Sequence, residues 1–403
     1  MRTVQKLVKI AQEFKQIYIY GYGLSGKWLT EELKKTGLPV IGFIDTDEKK
    51  RGFSFHGTMV KTPKEAYREI QESGLKKGEN LIINTVVDIQ DVWDNLSSSD
   101  LFEVTALGIY LENIQANAIE EAGKDYVEYS LDAVKASHTS FFKHGFRFVR
   151  SIDLQVTERC TMKCQDCSNL MQYYEKPVNV TYSKLCQDIE NILTRIDKLF
   201  EIRLIGGEPF VHPEIYSLLE MYTNTNKIDY VTLFTNSTIK LDRERLDNGK
   251  INLKKISFSI TNYGGKNARN IEFNQNMLDN LGVKYRIHEP EWWTDSGRIL
   301  ETSHTEETAQ KLFEKCCGKN LFTVYDGKLY RCPFASNADS LKAIPYNTQN
   351  FVSVESTAES IEEYMNADTF IPACQYCKGR SWDSPIINAA IQTRQPLKYT
   401  KKQ

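Results

Sequence analysis

Ser151-Ile-Asp-Leu-Gln-Val-Thr157-Glu-Arg-Cys160-Thr-Met-Lys-Cys164-Gln-Asp-Cys167 is a strand-like alternation running directly into three cysteines within eight residues. Three is the informative number. A cubane iron–sulfur cluster has four irons, and proteins normally give each one a cysteine. A compact loop with only three thiols leaves one iron open to an exogenous ligand. The alternatives are a zinc site, since thiolates are soft ligands that serve either metal, or cysteines buried for packing. Spacing alone leaves these open.

A second segment bears on the choice. Ile202-Arg-Leu-Ile-Gly206-Gly207-Glu208-Pro209 is a short apolar strand ending in two glycines and a carboxylate. Glycine pairs let the main chain approach a ligand closely, and a carboxylate suits a bound ammonium. Pro209 and Pro213 then direct the chain into a helix over Glu214–Tyr222. By itself the glycine pair is an ordinary turn, but here it follows the cysteine loop by one amphipathic helix.

Together, the C-x3-C-x2-C spacing and the Gly-Gly-Glu-Pro segment resemble the radical S-adenosylmethionine (SAM) superfamily. The resemblance implies a [4Fe–4S] cluster on Cys160, Cys164 and Cys167, whose open iron chelates SAM and whose reduced form cleaves the sulfonium to a 5′-deoxyadenosyl radical. It also implies that Gly206, Gly207, Glu208 and Pro209 hold the SAM ammonium. A reductant such as flavodoxin or ferredoxin is implied as a partner.

Further along, Cys316-Cys317, Asp326-Gly327-Lys-Leu-Tyr-Arg-Cys332-Pro333 and Cys374-Gln-Tyr-Cys377 follow one another. The pattern C-x9-G-x4-C with a distant C-x2-C resembles the twitch domain, the shorter relative of the SPASM extension. That resemblance implies one auxiliary [4Fe–4S] cluster on Cys317, Cys332, Cys374 and Cys377. Asp-Gly is a hairpin-turn pair. Four thiolates fit a zinc ribbon equally well, and spacing does not decide between Cys316 and Cys317, although Cys317 is preferred. Cys186 remains, either as a buried apolar thiol or as a hydrogen-atom donor that quenches a substrate radical.

Near the N-terminus, the strand Ile17–Gly21 enters Gly21-Tyr-Gly23-Leu-Ser-Gly26. A helix carrying Trp28, Leu29 and Leu33 follows, then the strand Val40–Asp45, with Asp45 nineteen residues beyond Gly26. Leu81–Val86 fits the same parallel sheet. This is the order of a Rossmann-like βαβ unit. Either the glycine loop holds a phosphate at the helix N-terminus with Asp45 near a ribose, or the glycines only allow tight packing. Ile41–Glu48, Phe55–Val60 and Thr62-Pro63 resemble the N-terminal domain of bacterial sugar acyltransferases, which implies a nucleotide or nucleotide-sugar there.

The expected organisation is α/β throughout. Residues 1–120 form the Rossmann-like domain, 121–148 a helical connector, 149–305 a partial (β/α)5–6 barrel and 306–403 a small twitch-type α+β domain. Barrel strands are expected at Ile152–Thr157, Ile202–Ile205, Tyr230–Thr235, Lys255–Ile260 and Val283–His288, with the usual sixth strand unplaced or missing. A helix is expected over Ser183–Phe200. Ligand groups gather at the C-terminal strand ends of such barrels. That makes Asn236 in Thr235-Asn-Ser237, and Ser259 with Ser257, candidates for the SAM ribose and carboxylate. Relatives often carry Ser-x-Asp where this chain has Ser259-Ile-Thr261, and an aromatic where it has Asp166. Glu291-Trp292-Trp293-Thr-Asp295-Ser-Gly297-Arg298 is suited either to stacking a sugar or to packing on the last domain. His212 reads as a cap or surface residue, and His144 and His288 show no metal-ligand spacing.

The chain has 403 residues, 26% of them charged, and a net charge of −2, so no electrostatic case for nucleic-acid binding arises. No apolar run approaches the roughly 20 residues of a membrane span, and the N-terminus lacks a signal-peptide core. Nine cysteines in this composition suit metal ligation in a reducing cytoplasm better than a disulfide framework. The leading expectation is a radical SAM oxidoreductase or epimerase acting on a carbohydrate or nucleotide-linked sugar in polysaccharide or secondary-metabolite synthesis. The alternatives are a radical SAM maturase of ribosomal peptides, a nicotinamide-dependent enzyme with a zinc-stabilised domain, and a non-catalytic binding module.

Overall fold

Alternation along Ile17-Tyr-Ile-Tyr20 explains the first unit, residues 1–150. The computed structural model describes residues 3–112, 116–143, 147–381 and 383–402. The unit contains α1 (Val4–Ala11), β1 (Gln16–Tyr20), α2 (Leu24–Lys34), β2 (Val40–Ile44), β3 (Ser54–Phe55), β4 (Thr58–Lys61), α3 (Pro63–Glu72), β5 (Asn80–Asn84), α4 (Trp93–Ser97), β6 (Glu103–Ala106) and α5 (Lys124–Phe141). The sheet order is β3-β4-β2-β1-β5-β6, parallel except for β3 on β4. Successive strand residues point to opposite faces. Ile17 and Ile19 accordingly pack with Trp28, Leu29 and Leu33 on one face, and Tyr18 and Tyr20 with Ala66, Ile70 and Phe102 on the other. Two covered faces are the reason these strands read as apolar runs.

The helix expected as a connector lies inside this unit, where Val127, Leu131 and Val134 of α5 join the first core. His138 of α5 is fully buried, accepts from the Gly108 N–H at Nδ1 and donates from Nε2 to the Val86 carbonyl. Burial holds its pKa down at about 4, against the Val86 hydrogen bond. Between that value and the ordinary 6.5 the unfolded chain binds the extra proton, so stability rises with pH across this window and is lost as pH falls through it. The full contribution is about 3 kcal/mol. Thermal melts at pH 7 and pH 4.5 should therefore separate further in the native protein than in His138→Asn, and equal separations would contradict this account.

The second unit, residues 151–403, carries an eight-stranded sheet. Its elements begin with β7 (Phe148–Thr157), α6 (Tyr182–Arg195), β8 (Lys198–Gly206), α7 (Ile215–Thr223), β9 (Ile228–Thr235), α8 (Arg243–Leu246), β10 (Ile256–Thr261), α9 (Ile271–Leu281), β11 (Lys284–His288) and β12 (Trp292–Thr294). There follow α10 (Glu306–Lys315), β13 (Thr323–Tyr325), β14 (Lys328–Tyr330), α11 (Pro333–Ser340), β15 (Phe351–Ser353), α12 (Ala358–Asn366) and β16 (Ile386–Asn388). The order β11-β10-β9-β8-β7-β13-β14-β15 is an open sheet, and the pairs from β8 to β11 are parallel.

Three expectations change here. The helix read over Ser183–Phe200 ends at Arg195, because Leu199 and Phe200 are taken by β8, where Leu199 pairs with Ile228. Leu185, Ile189 and Ile192 fill the helix's buried face, and an apolar run that follows one cannot be divided by periodicity alone. The sheet continues beyond β7 rather than beyond β11: β13 arrives from the C-terminal part and lies parallel to β7, with β14 and β15 outside it. His212 is not a surface residue: it is buried, with Nε2 on the Val180 carbonyl and Nδ1 accepting from Glu214. His144 falls outside the described residues.

The hairpin β13–β14 turns at Asp326 and Gly327, both with positive φ (48° and 78°), as a type I′ turn requires. Its tip is fixed by the Gly327 N–H on Asp188 of α6. Behind it, Gln155 of β7 and Asn337 of α11 exchange two amide hydrogen bonds of 2.9 Å. These contacts set the C-terminal segment against the first strand of the sheet. No helix among the described residues is long and apolar enough to cross a membrane.

Candidate functional site

The Cys160–Cys167 loop leaves β7 at Thr157, whose hydroxyl accepts from the Arg159 N–H and donates to Asn179. All three cysteines line a cavity of about 460 Å³ at the C-terminal ends of the strands, together with Gly206, Gly207, Asn236, Thr261 and Tyr263. No other cysteine is among the lining residues described.

The glycines have a steric reason. A Cβ on Gly207 would lie 2.2 Å from the Arg159 carbonyl oxygen and 2.6 Å from the Cys160 Cβ. One on Gly206 would lie 2.3 Å from the Thr157 carbonyl oxygen. The end of β8 and the cysteine loop therefore pack closer than any side chain permits. Pro209 is buried and starts a 3-10 turn, Pro209–Val211.

Glu208 lies beneath the cavity rather than in its wall, fully buried. It accepts from the N–H groups of Phe210 and Asn236 and from the Thr235 hydroxyl. Burial pushes its pKa up to about 7, opposed by those three donors. Its carboxylate ties the end of β8 to the end of β9 and thereby sets Asn236, whose Nδ2 lies 3.6 Å from Cys160 Sγ. Of the segment expected at the SAM ammonium, Gly206 and Gly207 line the cavity, and the Gly206 carbonyl accepts from Asn169. Ser259 is buried outside the lining, and Ser257 pairs with Thr232 below, so Thr261 on the same strand face reaches the cavity instead.

The wall opposite is aromatic. Tyr263 and Trp293 meet edge to face at 5.8 Å, with Phe234 half-exposed alongside in the lining. The loop carrying Trp293 is anchored by Arg298 on Asp166 at 2.5 Å, and β12 pairs antiparallel with β16. A Cβ on Gly297 would lie 2.2 Å from the Asp166 carbonyl oxygen. Trp293 lines the cavity, while Trp292, 54% exposed, does not.

One clamp has no signature in the sequence. Gln392 donates to Cys164 Sγ at 3.0 Å and accepts from the Lys163 N–H at 2.7 Å, and Ile391 and Thr393 bond the loop's backbone on either side. Some 228 residues separate the partners. Burial raises the Cys164 pKa to about 11 against this hydrogen bond, and burial likewise raises Cys160 and Cys167.

Four other cysteines surround a second, apolar cavity: Cys316, Cys332, Cys374 and Cys377, with Phe313, Phe334 and Ile371. The expected Cys317 is replaced by Cys316. The chain leaves α10 at Cys316, and Cys317 is exposed, its N–H held by the Arg380 carbonyl. Burial raises Cys332 to about 12 and Cys374 to about 11. In reconstituted protein, Cys317→Ser should leave the iron count unchanged, while Cys316→Ser should remove about four irons per chain. The reverse outcome would restore the sequence preference. Among the described residues, no three His, Cys, Asp or Glu side chains converge as a single-ion site.

Cys186 sits on α6 beside Tyr182, with Glu190 and Glu214 near it, and is absent from the cavity lining, so the hydrogen-donor role has no geometry behind it. In the first unit, a Cβ on Gly26 would lie 2.2 Å from the Gly21 carbonyl oxygen, so these glycines bring α2 onto β1. Gly23 is the N-cap of α2 and has open space around it. Asp45 accepts from the N–H groups of Tyr22 and Asp47 and from Lys50, which fastens the glycine loop to β2.

The fold is α/β with parallel sheets, and the chain resembles the radical SAM enzymes in its cysteine loop and Gly-Gly-Glu-Pro segment. No family model matches the chain. It is similar to the GTP 3′,8-cyclase of Clostridium acetobutylicum, 28% identical over 120 residues, 29% of this chain and 36% of that protein. The GTP 3′,8-cyclase of Desulforamulus reducens is 25% identical over 130 residues, 31% of this chain and 38% of that protein. The chain thus spans little more than a third of the length of these curated relatives. Among solved structures, BtrN in complex with AdoMet and 2-DOIA is 15% identical with a TM-score of 0.38, covering 62% of this chain and 98% of that one. UDP-D-quinovosamine 4-dehydrogenase from Vibrio fischeri is 26% identical with a TM-score of 0.20, covering 23% of this chain and 77% of that one.

Proposed function

We propose that the chain is a radical SAM oxidoreductase or epimerase with one auxiliary cluster. The observation that carries this reading is the cavity lined by Cys160, Cys164 and Cys167 with Gly206, Gly207 and Asn236, and by no further cysteine among the described residues. Those three cysteines would hold a [4Fe–4S] cluster with SAM on its open iron, and Cys316, Cys332, Cys374 and Cys377 an auxiliary one. When bound, the first cluster supplies reductive cleavage of the SAM sulfonium, and with it a radical able to take a carbon-bound hydrogen.

The chain's own contribution is position and exclusion of water. Gly206 and Gly207 bring main chain against the cysteine loop, and Glu208 fixes Asn236 from below. Tyr263, Trp293 and Phe234 offer apolar faces to an adenine or a substrate ring. Leu321 and Pro333, next to Cys332, close the cavity from the C-terminal side. Ser168, Asn169 and Arg380 also line a smaller space shared with Cys316, Cys332 and Cys377, which leaves the two cysteine groups on adjoining cavities. A carbohydrate or nucleotide-linked sugar is the proposed substrate, and flavodoxin or ferredoxin the proposed reductant, in the cytoplasm.

Anaerobic reconstitution tests the class. About eight irons per chain are expected for two clusters, with 5′-deoxyadenosine appearing after dithionite and SAM. A colourless protein that reduces NAD would transfer the chain to the nicotinamide class.

A further inference from the structure

Two arginines line the larger cavity. Arg203 lies on β8 three residues before Gly206, so its Cα is about 10 Å down the strand from the glycine pair. Its Nε is 2.5 Å from Asp153 Oδ1 on β7. Nη2, closed off from solvent, has no hydrogen-bond acceptor. Arg380 comes from the loop after Cys377 and lines the same cavity. Both guanidinium groups act on the Asp153 carboxyl, which places them in one field.

Two carboxylates and two guanidiniums line the cavity, but one of the carboxylates is held from outside the lining. Asp166 is engaged by Arg298, leaving Asp153 as the counter-charge to Arg203 and Arg380 among the described lining residues. Glu201 below also touches this field, but it lies outside the lining and accepts from Thr232. An enclosed guanidinium whose Nη2 lacks an acceptor is costly unless an anion completes it. Its planar fork matches a carboxylate or phosphate.

We propose that Arg203 and Arg380 form an oxyanion subsite that holds a carboxylate or phosphate group of the substrate. The inference rests on the proposed function for the word substrate, and on the cavity alone for the word oxyanion. It narrows the substrate class to an anionic small molecule, a phosphorylated sugar or a sugar acid. Asp153 keeps the Arg203 fork turned into the cavity, as a positioning residue.

The probes are inorganic phosphate and SAM. Calorimetric titration of phosphate into the full chain without clusters should show binding that weakens about tenfold or more in Arg380→Gln, the loss expected of one charge-assisted hydrogen bond. The readout is the difference between wild type and variant, so phosphate held elsewhere on the chain cancels. Arg203→Lys serves as the second variant, because it retains the charge opposite Asp153 and should weaken binding while the protein still melts cooperatively. In reconstituted protein, Arg380→Gln should weaken SAM binding by less than it weakens phosphate binding. Equal phosphate binding in wild type and both variants overturns the subsite. A tenfold loss of SAM affinity overturns it differently, by giving the arginines to the SAM carboxylate. If no cluster forms, the proposed function fails while the phosphate titration still decides whether the subsite exists.

Discussion

Gly207→Ala is expected to strip the cysteine-loop cluster from the protein while leaving the auxiliary cluster in place, a loss of about four irons per chain. The new methyl would stand 2.2 Å from the Arg159 carbonyl oxygen, 2.6 Å from its carbonyl carbon and 2.6 Å from the Cys160 Cβ. Two of those atoms are backbone, so relief requires moving the loop itself. Overpacking costs about 1–3 kcal/mol where neighbours can yield, and here the yielding group is the metal-binding segment. Iron and sulfide counts with a thermal melt would check this. Full iron content with an unchanged melting temperature would mean that the close approach of β8 to the loop is dispensable.

Replacing Cys160, Cys164 or Cys167 by alanine is expected to reduce 5′-deoxyadenosine to the level of dithionite and SAM without protein. Each lost thiolate leaves a cluster with two protein ligands where three already suffice only with SAM as the fourth. The same assay on Cys186→Ala should match wild type, because that thiol lies on α6 outside the cavity. A triplet variant that still forms the product would remove the chemistry proposed above. The auxiliary set gives a graded contrast, since Cys374→Ala should lower iron while leaving substrate-free SAM cleavage.

Much of the site was legible because its ligands come in local runs. Cys160 to Cys167 and Gly206 to Pro209 are local runs at the ends of β7 and β8, so each run arrives as one piece at the same end of the sheet. The Asp326-Gly327 turn was equally local, its two positive φ values being what that pair favours. Cys316 against Cys317 was not, because neighbours on a chain differ in direction, and direction depends on where α10 ends. The burial of Glu208 was not legible either, because the Asn236 N–H that it accepts lies on another strand's end. The division between α6 and β8 failed at Leu199 because a helix face and a buried strand are written in the same apolar residues.

By itself the sequence determined the chemistry on offer: three thiols in one loop, five more in the C-terminal segment, glycines where main chain must come close, and alternating strands and helices that build parallel sheets. Only the tertiary structure decided which thiol of the adjacent pair turns inward and that β13 closes on β7 rather than following β11. It also decided that Gln392 holds Cys164 and that Arg203 and Arg380 share one cavity. The physical reason is the range of the forces involved. Turn geometry, capping and strand alternation act over a few residues and are written locally, whereas the meeting of groups 177 or 228 positions apart depends on how whole faces pack.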